Sequence, residues 1–175
     1  MSCDPNWRQR QITLKIYSKT REKVTNMAMT SYQKLKEAVR MVIRPSWDEV
    51  WMATASLIAQ RSYDPRHQVG VVIVSEDNTQ VFAVGYNGNY KGGPNEVESE
   101  VPGESGMLHA EINALLKMDY NIPKLKIMYV TLSPCRMCAK AIVNAGIDEV
   151  VYEEAYRDPG GLDILKSAGV HIRQI

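Results

Sequence analysis

No apolar stretch in this chain is long enough to cross a bilayer: the unbroken apolar runs are short, Val71 to Val74 among the longest, where a spanning helix takes about 20 residues. The first residues also lack the apolar core of a signal peptide. A cytoplasmic protein with no membrane partner is expected. Cysteine is scarce: there are three, two of them in one Cys-x-x-Cys and the third at Cys3. That excludes a disulfide framework and fits a reducing compartment. No charge of one sign dominates, with 21 Lys and Arg against 20 Asp and Glu. Internal repeats and low-complexity tracts are missing too, and no Gly-Lys-Ser/Thr completes a Walker motif.

What charge there is falls unevenly. Residues 1 to 44 carry ten Lys or Arg against three Asp or Glu, which leaves eleven against seventeen for the rest. An acidic remainder argues against a broad polynucleotide-binding face and leaves room for a few cations around one small phosphate. The basic leader reads as a solvated extension, as an over-long start with Met27, Met29 or Met41 as other initiators, or as a nucleic-acid contact. The division expected is 1–44 as a basic extension with one helix and 45–175 as the functional domain.

Hydrophobic periodicity orders the elements. From Tyr32, Leu35, Ala38, Val39, Val42 and Ile43 recur at helical spacing until Pro45 stops them. Ser46 with Glu49 forms a capping box for a second helix running to about Arg61, with Trp47, Val50, Trp51, Ala55, Leu57 and Ile58 as its buried stripe. Val69–Val74 and Val81–Tyr86 read as a hairpin, and 87–106, rich in Gly and Glu, as a long loop. A helix starts near His109, a strand covers Ile127–Leu132, and Pro134 opens a helix ending at Gly146. Strands at Glu149–Tyr152 and Val170–Ile172 flank a helix at Leu162–Ala168. This order predicts a three-layer α/β/α domain with a five-stranded mixed sheet, an antiparallel pair first and parallel crossovers after it.

The chemistry concentrates in Leu108-His109-Ala110-Glu111 and Pro134-Cys135-Arg136-Met137-Cys138. His109, Cys135 and Cys138 offer three zinc ligands and no fourth, and an open zinc site is a catalytic one. All three fall at expected helix starts, where the helix dipole favours anions, so both thiols should ionise readily. Glu111, two residues past a ligand, suits a proton shuttle between water and a leaving amine. Cys-x-x-Cys alone also reads as a redox dithiol or half of a closed zinc site. The first needs a thioredoxin-like context and the second another ligand, for which the only spare Cys or His residues are Cys3, His67 and His171, none at ligand spacing.

Residues 45 to about 173 resemble deoxycytidylate deaminases of the cytidine deaminase superfamily, phage and bacterial members above all. The resemblance rests on the zinc strings above together with Arg61-Ser62, Asp64-Pro65, Gln68-Val69-Gly70, Gly85-Tyr86-Asn87-Gly88 and Cys138-Ala139-Lys140. It implies zinc-dependent hydrolysis of dCMP to dUMP and ammonia, a cytidine deaminase-like fold, and a homohexamer activated by dCTP and inhibited by dTTP with Mg²⁺. By the same resemblance, the Ala110 N–H would bond the ring carbonyl and the Ser133 carbonyl the exocyclic amine. Asn87 would hold the sugar hydroxyl, and Arg61 and Ser62 would face the 5′-phosphate. Tyr156 and Arg157 would close the pocket, though as residues they read equally as an exposed turn before Pro159. Gly85, Tyr86, Asn87, Gly88 and Lys91 would form the effector site, where composition alone gives a hairpin end. Some viral relatives carry a second, structural zinc; with only Cys3 in the amino-terminal half, one zinc is expected here. A deaminase of another amino-heterocycle, tRNA or single-stranded DNA, and a catalytically silent nucleotide-binding module, remain the competing readings.

Overall fold

The computed structural model describes residues 44–94, 97, 99 and 106–175. The helix expected from Tyr32 to Ile43 lies outside the described residues. The first described helix, α1, spans Trp47–Ala59 and starts as the sequence dictates: the Glu49 N–H donates to Ser46 Oγ at 3.3 Å and the Ser46 N–H to the Glu49 carboxylate at 2.7 Å.

Its buried face keeps the expected Ala55 and, in part, Trp51, and departs from the expected stripe elsewhere. Met52, Ala55 and Ala59 point inward, whereas Trp47 is 47% and Leu57 64% exposed. The cause is Gly70, the first residue of β1 (Gly70–Ser75): a Cβ there would lie 1.9 Å from the Ala55 carbonyl oxygen. At Gly70 helix and strand approach so closely that only the alanines Ala55 and Ala59 fit between them, and Trp47 lies at the rim. There Trp47 stacks on Trp51 with centroids 5.4 Å apart, and the Trp51 indole N–H donates to Asn78 Oδ1 at 2.7 Å.

β1 pairs antiparallel with β2 (Val81–Tyr86) and with β3 (Lys126–Leu132). β4 (Glu149–Glu154) and β5 (His171–Gln174) continue parallel from β3, giving the order β2-β1-β3-β4-β5. The expected five-stranded mixed sheet is therefore present. Successive strand residues serve opposite layers. Val71, Ile73, Met128, Val130 and Val150 pack with α2 (Ala110–Leu115), α3 (Arg136–Asn144) and α4 (Gly160–Ser167). Val72, Val74, Tyr129 and Val151 pack with Met52 and Ala55 of α1. Arg173 of β5 straps the α1 layer by a fork onto Asp48, at 2.6 and 3.0 Å, and by a second bond to Glu149 of β4.

Two details set the position of the site. α3 ends at Gly146, with φ +69°, where Gly146 N–H donates to the Val143 carbonyl and Ile147 N–H to that of Ile142, a Schellman close that delivers the chain to β4. α2 begins where Gly88, just past β2, exchanges two backbone hydrogen bonds with Leu108 at 3.0 and 2.9 Å. Both helix starts thus lie at one end of the sheet. Among the described residues no helix is long and apolar enough to cross a membrane.

Candidate active site

His109 and Cys135 occupy equivalent positions, each the extended residue just before a helix, and neither side chain caps its own helix. Pro134, which has no N–H to offer a strand ladder, follows the end of β3 and precedes Cys135. Cys138 follows one turn into α3 and is buried. Their side chains therefore converge. His109 Nδ1 lies 3.5 Å from Cys135 Sγ and 3.3 Å from Cys138 Sγ, and the three donor atoms fall within 4.8 Å of one another. Tetrahedral zinc, with bonds of about 2.3 Å to sulfur and 2.0–2.1 Å to nitrogen, sets such N and S atoms roughly 3.6 Å apart. The donor set fits zinc in both spacing and softness.

The two thiols are unequal. Hydrogen bonding from Cys138, reinforced by His109, holds the Cys135 thiol down at about 4, whereas Cys135, burial and Glu111 push Cys138 well above the ordinary thiol range. The helix starts alone predict ready ionisation of both; without a cation only Cys135 ionises, because two sulfurs this close share one proton. A cation that takes up the second negative charge makes both of them thiolates.

Glu111 is 4% exposed, and that burial raises its carboxyl above the ordinary range. A buried carboxyl next to the donor cluster, and outside it, has the character of a general acid-base. Together with His109, Ala110, Ser133, Cys135, Asn87 and Tyr156 it lines a cavity of about 100 Å³, room for one flat ring. Ala110 is the first residue of α2, where backbone N–H groups have no intrahelical acceptor. Ser133 accepts the Tyr156 N–H on its Oγ at 2.8 Å and donates its own N–H to the Glu154 carbonyl at 2.8 Å, so the loop after β4 is tied to the metal-ligand loop. Asn87 Oδ1 accepts the Val69 N–H and its Nδ2 donates to the His67 carbonyl, both at 2.8 Å, which settles the orientation of the amide.

The other expected site residues lie elsewhere. Arg157 is exposed, its guanidinium 5.6 Å from the Tyr156 ring centroid. Arg61 is exposed and absent from the cavity wall; Ser62 is buried with its Oγ receiving the Asp64 N–H. Gly85 lies beneath α2, where a Cβ would meet the Ala110 carbonyl oxygen at 2.3 Å, so its smallness serves packing. Tyr86 and Gly88 offer their carbonyls to Asn113 Nδ2, and Lys91 is exposed. Sequence reasoning missed Asp64 and His67, both on the cavity wall. Asp64-Pro65 is legible as turn chemistry, and an aspartate that bonds the N–H groups following it is the device such a turn uses.

The ligand loop is also braced from outside. Arg136 forks onto Asp158 at 2.8 and 3.2 Å, and Asp158 accepts the Gly160 N–H at 2.9 Å. Gly161 sits so close that a Cβ would lie 1.9 Å from the Pro134 carbonyl oxygen. Gly161→Ala is therefore expected to shift Pro134-Cys135, lower stability by about 1–3 kcal/mol and weaken zinc binding. Denaturant midpoints and a competitive chelator titration would show both; unchanged zinc affinity would separate this packing from the ligand geometry.

A family model described as the cytidine and deoxycytidylate deaminase zinc-binding region matches residues 45–154. The deoxycytidylate deaminase of Saccharomyces cerevisiae is 39% identical over 145 residues, 76% of this chain and 46% of the yeast protein. That of Homo sapiens is 39% identical over 124 residues, 64% of this chain and 67% of the human protein. Among solved structures, the dCMP deaminase of cyanophage S-TIM5 in complex with dCMP and dUMP superposes with a TM-score of 0.66 at 33% identity, covering 77% of this chain and all (100%) of that one.

Proposed function

The chain belongs to the cytidine and deoxycytidylate deaminase family, and from that premise we propose that it converts dCMP and water to dUMP and ammonia, a supply step for dTMP. The observation that carries the reading is the buried Glu111 carboxyl at the wall of a ring-sized cavity beside three zinc-type donors. His109, Cys135 and Cys138 hold one zinc, which when bound makes water a nucleophile at neutral pH. Glu111 takes one proton from the attacking water and gives it to the ring nitrogen, then carries the second, from the hydroxyl left on the ring carbon, to the departing amine. The Ala110 N–H orients the ring carbonyl, the Ser133 carbonyl accepts from the exocyclic amine, and Asn87 takes the sugar hydroxyl. Tyr156, backed by Arg157, closes the cavity against water.

Activation by dCTP and inhibition by dTTP, each with Mg²⁺, belong to the same reading, with Tyr86, Asn87, Gly88 and Lys91 on the effector and a homohexamer as the assembly. What supports a regulatory role for this loop is its wiring: Gly88 is hydrogen-bonded on both sides to Leu108, the residue before His109, and Asn113 of α2 bonds the Tyr86 and Gly88 carbonyls. The test is ammonia and dUMP release from dCMP by the zinc-loaded protein, alone and with dCTP or dTTP plus Mg²⁺. Turnover raised by dCTP and lowered by dTTP is expected. Silence on dCMP with zinc bound would sink the substrate, and turnover indifferent to both triphosphates would sink the regulation.

A further inference from the structure

Between the end of β4 at Glu154 and the start of α4 at Gly160 the chain runs through residues 155–159. Ala155, Arg157 and Pro159 there are exposed, and Tyr156 lies on the wall of the ring-sized cavity. None of these residues joins either apolar core cluster. A segment with so little buried packing is positioned by a few directed bonds. Those bonds lead to one stretch, Ser133 to Arg136. Ser133 donates its N–H to the Glu154 carbonyl and accepts the Tyr156 N–H on its Oγ, both at 2.8 Å. Two residues beyond Tyr156, Asp158 takes the Arg136 fork at 2.8 and 3.2 Å while accepting the Gly160 N–H at 2.9 Å. Gly160 makes room for that fork: a Cβ there would lie 2.1 Å from the Arg136 Cζ, so the guanidinium rests against bare backbone. Arg157, whose guanidinium faces the Tyr156 ring, adds a further attraction on Asp158.

Packing decides which side of this contact gives way. Arg136 opens α3, whose Ala139 and Ile142 are 0% exposed in the core, and Pro134 is pressed under Gly161. The segment 155–159 is the softer partner. With the Tyr156 N–H held at Ser133, the Asp158 fork fixes the backbone on the other side of the ring. We propose that Arg136 and Asp158 are positioning residues that hold Tyr156 on the ring cavity, with the metal-ligand turn as their fixed base. The assignment rests on the dCMP reading above, in which Tyr156 closes that cavity. Both side chains of the pair are well exposed, at 63% and 42%, and an exposed ion pair adds little to the stability of a whole fold. Its loss is therefore felt in the segment and not in the core.

The experiment compares the zinc-loaded wild type with Asp158→Asn, Arg136→Gln, their double variant, and Gly160→Ala, which displaces the guanidinium without removing a charge. Amide hydrogen exchange at Tyr156 reads the position of the segment without turnover. The most that an exposed fork contributes corresponds to roughly 3- to 5-fold in an equilibrium. Exchange at Tyr156 is expected to quicken by that factor in each variant, with the strands, the melting temperature and the zinc affinity unmoved. KM for dCMP should rise by a like factor at unchanged kcat, the mark of lost binding that ground and transition states share. The double variant should lose no more than either single one, because the two side chains act as one unit. Unaltered exchange at Tyr156 would overturn the proposal. So would a loss of zinc affinity in its place, which would make the fork a brace of the ligands alone. A lower KM in Asp158→Asn, where Arg136 is set free, would overturn it too and make that arginine a direct contact of the substrate. Failure of the wild type on dCMP would tell against the proposed reaction, and the exchange difference would still support the positioning of Tyr156.

Discussion

Glu111→Gln is expected to cost several powers of ten in turnover while leaving zinc content and fold intact. The side chain is 4% exposed, and glutamine matches its shape, so the change leaves no cavity in α2. What it removes is the ability to accept a proton. The attacking water must give up two protons, one to the ring nitrogen and one to the leaving amine, and the other buried carboxylate of the cavity wall among the described residues, Asp64, is committed to the Arg66 and His67 N–H groups. General acid-base groups contribute about 10² to 10⁴ each, and here a single group serves at two stages, so the loss should reach or pass the upper figure. Burial keeps the Glu111 carboxyl above its ordinary range, which favours a proton that comes and goes over a carboxylate that is permanently charged. The measurement is kcat on dCMP with zinc counted per chain. Near-normal turnover at full zinc would take Glu111 out of the proton path.

The parts of the site that are legible in the sequence are those whose chemistry is local. A histidine followed at two residues by glutamate, and Pro-Cys-x-x-Cys at a strand end, point to helix starts and candidate ligands by themselves, so His109, Glu111, Cys135 and Cys138 can be singled out before any tertiary neighbour is known. Strand alternation and the Ser46–Glu49 capping box are of the same kind. What is not legible depends on how closely two elements approach. The face of α1 follows from Gly70 meeting Ala55 and Ala59, which no periodicity within the helix records, and the apolar pattern favours Trp47 and Leu57 instead. Gly85 reads with its loop because it sits in Gly-Tyr-Asn-Gly, yet its neighbours are Ala110 and Ala114 across the fold.

The same limit governs the turn after α1. Arg61 and Arg66 are equally basic in sequence and both exposed, and only the folded chain shows that Arg66 borders a cavity and Arg61 does not. The inequality of the two thiols is likewise a property of packing. Cys138 is buried behind Cys135 and beside Glu111, so the charge that one accepts is denied to the other until a cation arrives.

That dependence makes Cys135→Ala the most informative change to the metal site. The variant leaves His109 and Cys138 as two donors, too few for a stable zinc site of this kind. Zinc should be lost, and with it the stabilisation that binding the folded state alone provides, about 4 kcal/mol when free metal exceeds its dissociation constant a thousandfold. For a chain of this size such a loss lowers the melting temperature on the order of 10 °C. The fold itself should persist. Its two apolar layers, Val71–Ile73–Met128–Val130–Val150 on one face and Val72–Val74–Tyr129–Val151 on the other, are built without the ligands. A strong chelator should then lower the melting temperature of the wild type to that of the variant and leave the variant unmoved. Retained zinc in Cys135→Ala would remove that residue from the ligand set. Wild-type melting indifferent to chelation would mean that the metal and the fold are not coupled here as the geometry of the two helix starts requires.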